Sequence, residues 1–283
     1  MKIGIVTSFY QRLYNYYAHR FLKSYNWPFD LIIYHEGWVP EDFAVRDNIF
    51  YRNIYTGKVG NKIKKFQARV QHYNIDSVEK GRPDKIIHGT NYKKDAIRFS
   101  YKVFACIDAY QKTKPDMMWY LDADIITFEK IPMSWLEHII PDHAFTSYLG
   151  RPKKGFSETG YYAFNTAHQY AEDFFTRWSE YYEKDLYFDI QKGFLNHFPR
   201  AGYTDSFTFD AVRLEFEQAG KMVNEDLNDG RFAGMRKARH PFINSELGQY
   251  MDHLKGFDRK TNMKSNAKDL TTKQAHKYWR DLK

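Results

Sequence analysis

The stretch Trp119-Tyr120-Leu121-Asp122-Ala123-Asp124-Ile125-Ile126 runs a short apolar segment into two aspartates one residue apart. Side chains alternate across a strand, so in extended chain Asp122 and Asp124 point the same way. Carboxylates converging at the edge of a buried sheet make a poor core and a good seat for a hard divalent cation. The same residues also fit a plainer reading, in which acids at a strand end cap the following turn.

Outward from this stretch, strands and helices alternate. Residues 2–8 are β-rich, and Leu13, Tyr17, Phe21 and Leu22 then recur at helical spacing. Residues 29–34 read as a second buried strand, closed by His35-Glu36-Gly37. Ile97, Tyr101, Phe104, Ala105 and Ile107 repeat with helical period up to Pro115, directly before the aspartate strand. After it, Pro132 suits the first turn of a short helix through Ile140. Residues 144–149 and 161–165 read as strands, and 170–182 as a helix rich in rings. The less regular residues 39–89 are expected to lie outside the main sheet. This alternation predicts an α/β fold with a mostly parallel central sheet flanked by helices, its ligands at the carboxyl ends of the strands. With no repeat, low-complexity segment or linker, the chain divides into one domain, 1–260, and a basic helical extension, 261–283, whose final helix Thr271 or Thr272 would cap.

At 283 residues and 18% aromatic content, with 23 Tyr and 23 Phe, the chain can bury a large core built from rings. The single Cys106 sits in an apolar helical pattern and reads as core, and no disulfide can form within the chain. Residues 1–8 lack the features of a signal peptide, and no apolar run reaches a membrane span, so a soluble, cytoplasmic protein is expected. Of the net charge of +8, residues 253–283 carry nine Lys or Arg against three Asp. Such a tail suits an anionic partner such as nucleic acid, a nucleotide or a membrane surface, although solubility alone also explains it.

The apolar strand, the Asp-x-Asp pair, two further apolar residues and a Pro-initiated helix together resemble the motif of glycosyltransferases with the GT-A fold. A second motif lies about 130 residues on, in His253-Leu254-Lys255-Gly256-Phe257-Asp258-Arg259-Lys260. It is similar to the C-terminal His-x-x-Gly-x-x-Lys of the glycogenin-like family, with Arg259 at the Lys position and Lys260 next to it. The resemblance implies a metal held by Asp122, Asp124 and His253, with Arg259 or Lys260 on the nucleotide diphosphate. The metal would be Mn2+, or Mg2+, since an imidazole ligand favours the softer ion.

Other positions follow the same resemblance. Thr7 and Ser8, after the first strand, match the place of base and ribose contacts. Arg98 and Lys102, one helical turn apart, match a basic residue facing the diphosphate, and a solvated helix face explains them equally well. Residues 158–165, beginning Glu158-Thr159-Gly160, resemble the loop and strand beside the donor sugar, where Gly allows close backbone approach. Asp205 matches a sugar-binding acid, with Ser206 where the family carries Gln.

These expectations amount to a transferase moving a sugar, UDP-linked by preference, to the hydroxyl of a glycan or lipid-linked saccharide. A glycogenin-like enzyme would retain anomeric configuration and need no dedicated base, whereas an inverting one would use Asp205 or Glu158. The basic groups at Arg151-Pro152-Lys153-Lys154, Arg231, Arg236-Lys237-Ala238-Arg239-His240 and the tail admit an anionic acceptor, including a viral-type variant that glycosylates hydroxymethylated bases in DNA. A nucleic-acid-binding protein without catalysis is the competitor from another class. A sugar-nucleotide pyrophosphorylase ranks behind both, because Thr7-Ser8-Phe9-Tyr10 is not a Gly-rich loop.

Overall fold

The computed structural model describes residues 1–41, 46–70, 96–151, 156–186, 204–229, 240–271 and 274–280. Strands β1 (Ile3–Phe9), β2 (Asp30–His35), β3 (Ile49–Asn53) and β4 (Met117–Leu121) lie parallel, in the spatial order β3-β2-β1-β4. The sheet continues through β7 (Tyr161–Asn165), β6 (Ala144–Tyr148) and β8 (Val223–Asp226). Only β7 runs against its neighbours on both sides, so the seven-stranded sheet is mostly parallel, as the alternation implies.

Helices cover both faces because the central strands are apolar on both. On one face Val6, Ile32, Tyr34, Tyr120, Tyr162 and Phe164 pack against α3 (Gly57–Val70), α4 (Ala96–Thr113), α6 (Ala171–Glu183) and α7 (Asp205–Gln218). On the other, Ile5, Leu31, Trp119, Leu121 and Ala163 pack against the helix after β1 and α5 (Met133–Ile139). That first helix has three parts: α1 (Gln11–Leu13), a π-helical turn (Tyr14–Ala18) and α2 (His19–Ser24). Pro132 stands just before α5, at the capping position rather than inside the first turn.

Three expectations change. Residues 49–53 are not an excursion: β3 pairs with β2 and forms the sheet edge, where half-exposed Phe50 and Tyr51 blur the alternation. The aspartate pair lies beyond its strand. β4 ends at Leu121, and 122–124 turn into β5 (Ile125–Thr127), which leaves the main sheet to pair antiparallel with β9 (Met251–His253). Finally, residues 274–280 form no full helix. One 3₁₀ turn, Lys277–Trp279, is capped by His276 instead of a threonine, while Thr272 and Lys273 lie outside the described residues.

The segment after β9 nevertheless packs on the body. Trp279 is buried and donates to the Gly248 carbonyl, and Tyr278 stacks on Phe128 at 4.1 Å. Among the described residues no helix is long and apolar enough to cross a membrane.

Candidate active site

The small β5/β9 sheet brings two distant motifs together. Ile125 stands opposite His253, and the Leu254 amide donates to the Asp124 carbonyl at 2.9 Å. The Asp122 amide in turn donates to Gly160, extending the β4/β7 ladder by one step. The backbone therefore fixes both acids against the His253 ring.

His253 Nε2 lies 3.1 Å from Asp124 Oδ1 and 3.8 Å from Asp122 Oδ2. One ligand atom from each of the three residues falls within 4.8 Å of the other two. Two hard carboxylates and one imidazole nitrogen suit Mn2+ better than Mg2+, which favours an all-oxygen shell. The donor set thus fits the cation that the motifs imply.

His253 is wedged as well as paired. A Cβ on Gly160 would come within 2.4 Å of His253 Cε1, so this glycine makes room for the imidazole. The ring is 3% exposed, and its Nδ1 has no hydrogen-bond partner among the described residues, with Glu158 Oε1 at 3.9 Å. Phe242 packs against it at 5.1 Å and His240 at 6.0 Å.

Four cationic side chains neutralise the acids. Lys102, at 7% exposure, sits 2.9 Å from Asp122 Oδ1 and 3.0 Å from Asp205 Oδ2, and it also donates to the Thr159 carbonyl. The contact to Asp205 is an ion pair by distance, but it is not aligned as a hydrogen bond. Lys260 lies 2.8 Å from Asp124 Oδ2 and 4.4 Å above the Tyr17 ring. Lys255 and Arg151 both bind Glu158 Oε2. Glu158 is placed by its neighbour Ser157, whose amide and hydroxyl both donate to Asp210 on α7.

Electrostatics separates the two aspartates. Burial favours the neutral acid at both, but Lys260 and His253 hold Asp124 far below the ordinary carboxylate range. Burial, with the Asp124 charge adding to it, leaves Asp122 raised in spite of Lys102. Burial alone would lower His253, yet Asp124, Glu158 and Asp122 outweigh it and raise its pKa. Glu158 is pulled well below the usual range against its burial, chiefly by Lys255 and Arg151.

The remaining candidates lie around this centre. Arg259 is turned away: its guanidinium binds Asp269 and the Lys255 carbonyl, whereas Lys260 reaches the acids. Ser8 shares a hydrogen bond with Tyr120, and Thr7 is buried with its hydroxyl unpartnered among the described residues. Arg98 pairs with Glu36 at 3.1 Å and covers the Tyr10 ring, at the carboxyl ends of β1 and β2. Of the basic groups, Arg151 and His240 are described, while 152–154 and 231–239 lie outside the described residues.

The sequence marks Tyr17 only by its helical spacing. The π-helical turn brings its hydroxyl near Asp124 and Asp122, which, added to burial, raise its pKa well above normal. Nothing in the residue pattern marks that turn. Lys255 was overlooked too, although its place two residues after His253 puts it on the same side of an extended chain.

A separate open depression of about 550 Å3, lined by Trp27, Arg46, Asn48 and Lys130 among others, lies at the amino ends of β2 and β3. Chemistry-bearing residues gather at the opposite ends.

No protein-family description matches the chain, and no curated protein is similar to it in sequence. Solved structures do show similarity. Mouse xyloside xylosyltransferase 1, in its apo form, is 10% identical over 81% of this chain and 86% of its own, with a TM-score of 0.47. A glycosyltransferase involved in glycosylating the major capsid of PBCV-1 is 11% identical over 93% and 100%, with a TM-score of 0.40. GlyE, a glycosyltransferase of Streptococcus pneumoniae TIGR4, is 9% identical over 80% of this chain and 45% of its own, again at 0.40.

Proposed function

We propose that the chain is a metal-dependent glycosyltransferase of the GT-A type that moves a sugar from a nucleotide sugar, UDP-linked by preference, to an acceptor hydroxyl. One observation carries this reading. Asp122, Asp124 and His253 converge at the carboxyl end of a central parallel strand, where open α/β sheets bind their ligands.

Asp122, Asp124 and His253 would hold the cation, and when bound it supplies charge neutralisation of the departing diphosphate. Lys260 adds a second positive charge beside that position, and Lys102 fixes Asp122 relative to Asp205. Preorganised charges of this kind stabilise a developing anion by several kcal/mol, on the order of 3 for a single good donor.

Retention is the preferred stereochemistry. Either candidate base is already engaged, Glu158 by Lys255 and Arg151 and Asp205 by Lys102. A carboxylate held ionised by two cations takes up a proton poorly. The acceptor class rests on the resemblance alone, with a glycan or lipid-linked saccharide ahead of DNA. Nucleic-acid binding without catalysis would leave the convergence of Asp122, Asp124 and His253 without a role, which disfavours it.

The test is a donor screen with Mn2+, following UDP, GDP and CMP release as slow hydrolysis without acceptor, in wild type and Asp124→Asn. Hydrolysis of one donor that vanishes with chelator and in Asp124→Asn is expected. If no donor is bound or hydrolysed, the reading fails. Duplex DNA with and without hydroxymethylated bases, added as acceptor, separates the DNA variant from saccharide transfer.

A further inference from the structure

The following inference rests on the reading of this centre as a cation and nucleotide-diphosphate site. Four carboxylates (Asp122, Asp124, Glu158 and Asp205) already meet four cationic side chains (Lys102, Lys260, Lys255 and Arg151) in direct ion pairs. Each acid already has a cationic partner before any ion enters. A divalent cation arriving alone would have to displace those cations from the acids, and a diphosphate arriving alone would find the lysines committed.

The two lysines on the ligand acids are not equivalent. Lys102 also holds Asp205 and the Thr159 carbonyl, so it stays anchored if Asp122 turns toward an ion. Lys260 has one carboxylate partner among the described residues, Asp124, and the Tyr17 face beneath it. Its backbone is fixed: Arg20 donates to the Lys260 carbonyl, and neighbouring Arg259 is tied to Asp269. Its ammonium ends a flexible four-carbon stem and can move while that backbone stays in place.

We propose that Lys260 is the internal occupant of the cation site. It neutralises Asp124 in the metal-free protein and passes to the nucleotide diphosphate as a divalent cation takes its place. Cation and nucleotide then bind cooperatively through one side chain, each vacating the partner that the other needs. Such coupling is reciprocal, so each ligand tightens the other by the same factor. The family-like pattern puts this role on Arg259, but the Asp269 ion pair withdraws that residue and leaves Lys260 to fill it.

Calorimetry with MnCl2 and UDP, each alone and both together, tests the exchange in wild type, Lys260→Met, Lys260→Gln and Lys264→Met. Lys264 is the control for lost charge, because its ammonium faces the Tyr278 ring at 4.7 Å instead of the acids. In wild type each ligand should tighten the other within the usual range of about 5- to 150-fold. In both Lys260 variants Mn2+ alone should bind about fivefold tighter or more, UDP alone more weakly, and the mutual factor should shrink. Lys264→Met should match wild type. Lys260 variants that melt as folded proteins yet bind Mn2+ no tighter than wild type would overturn the exchange and leave the proposed function standing. A wild type that binds neither Mn2+ nor UDP, GDP or CMP would overturn both.

Discussion

Ile125 and His253 face each other across the two-stranded β5/β9 ladder. Through this pairing an acid motif in the middle of the chain and an imidazole about 130 residues later become one cluster. The geometry of that cluster is set by backbone hydrogen bonds before any side chain is considered, and it is sensitive to crowding at the one place where β7 begins.

Gly160→Ala addresses that place. The added Cβ meets His253 Cε1 at 2.4 Å, so the ring must shift away from Asp124. Overpacking of this kind costs about 1–3 kcal/mol. Mn2+ affinity should fall about tenfold or more, as when the support of a metal ligand is lost. Calorimetry together with chemical denaturation checks both, and unchanged Mn2+ affinity would contradict the wedge.

Lys102→Met should be among the most damaging single substitutions. It leaves Asp205, 1% exposed, without its cation, and breaking a buried pair from one side costs about 3–5 kcal/mol. The double variant Lys102→Met with Asp205→Asn removes the stranded charge and should recover part of the loss. Urea unfolding of the three proteins decides; a single variant within about 1 kcal/mol of wild type would mean that the bridge holds little together.

His240 should make the fold acid-sensitive above the carboxylate range. Burial, aided by His253 and Lys255, lowers its pKa from 6.5 to about 3. The unfolded chain therefore takes up the proton first, so the His240 contribution is complete above pH 6.5 and declines as pH falls toward 3. The slope is at most about 1.4 kcal/mol per pH unit. Glu158, whose pKa is depressed from 4.5, contributes only below that value, so pH 4.5–6.5 isolates the histidine from it. Denaturation curves across this window should be flatter in His240→Leu than in wild type, and parallel curves would count against the argument.

Tyr278→Phe tests the support behind the imidazole. The phenol donates at 2.9 Å to Asp252, the buried neighbour of His253, which also accepts the Ser265 amide and hydroxyl. Losing a hydrogen bond to a carboxylate should cost about 1.5 kcal/mol. Thermal melting and Mn2+ titration should both register it, and an effect on neither would mean that this segment is mere covering.

Much of the architecture was legible because it rests on apolar runs long enough to carry a period. β1, β2, β4 and the ring-rich α6 are of that kind. β3 was not, since an edge strand with half-exposed Phe50 and Tyr51 has no clean inside and outside. The acids and His253 were readable from spacing and order. Their route together was not, because β4 stops at Leu121 and the convergence depends on a turn and a second ladder. That Lys260 reaches the acids and Arg259 does not has a reason that no motif contains: Asp269 lies where it captures the guanidinium.

The β5/β9 ladder also bears on the timing of synthesis. Chains fold from the amino end as they emerge, and joining segments about 130 residues apart carries a loop-closure cost that only late contacts repay. Asp124 would leave the ribosome long before His253 and Lys260, the two side chains that pair with it. Competence to capture a cation would arise in one of the last steps of maturation, after the main sheet had formed.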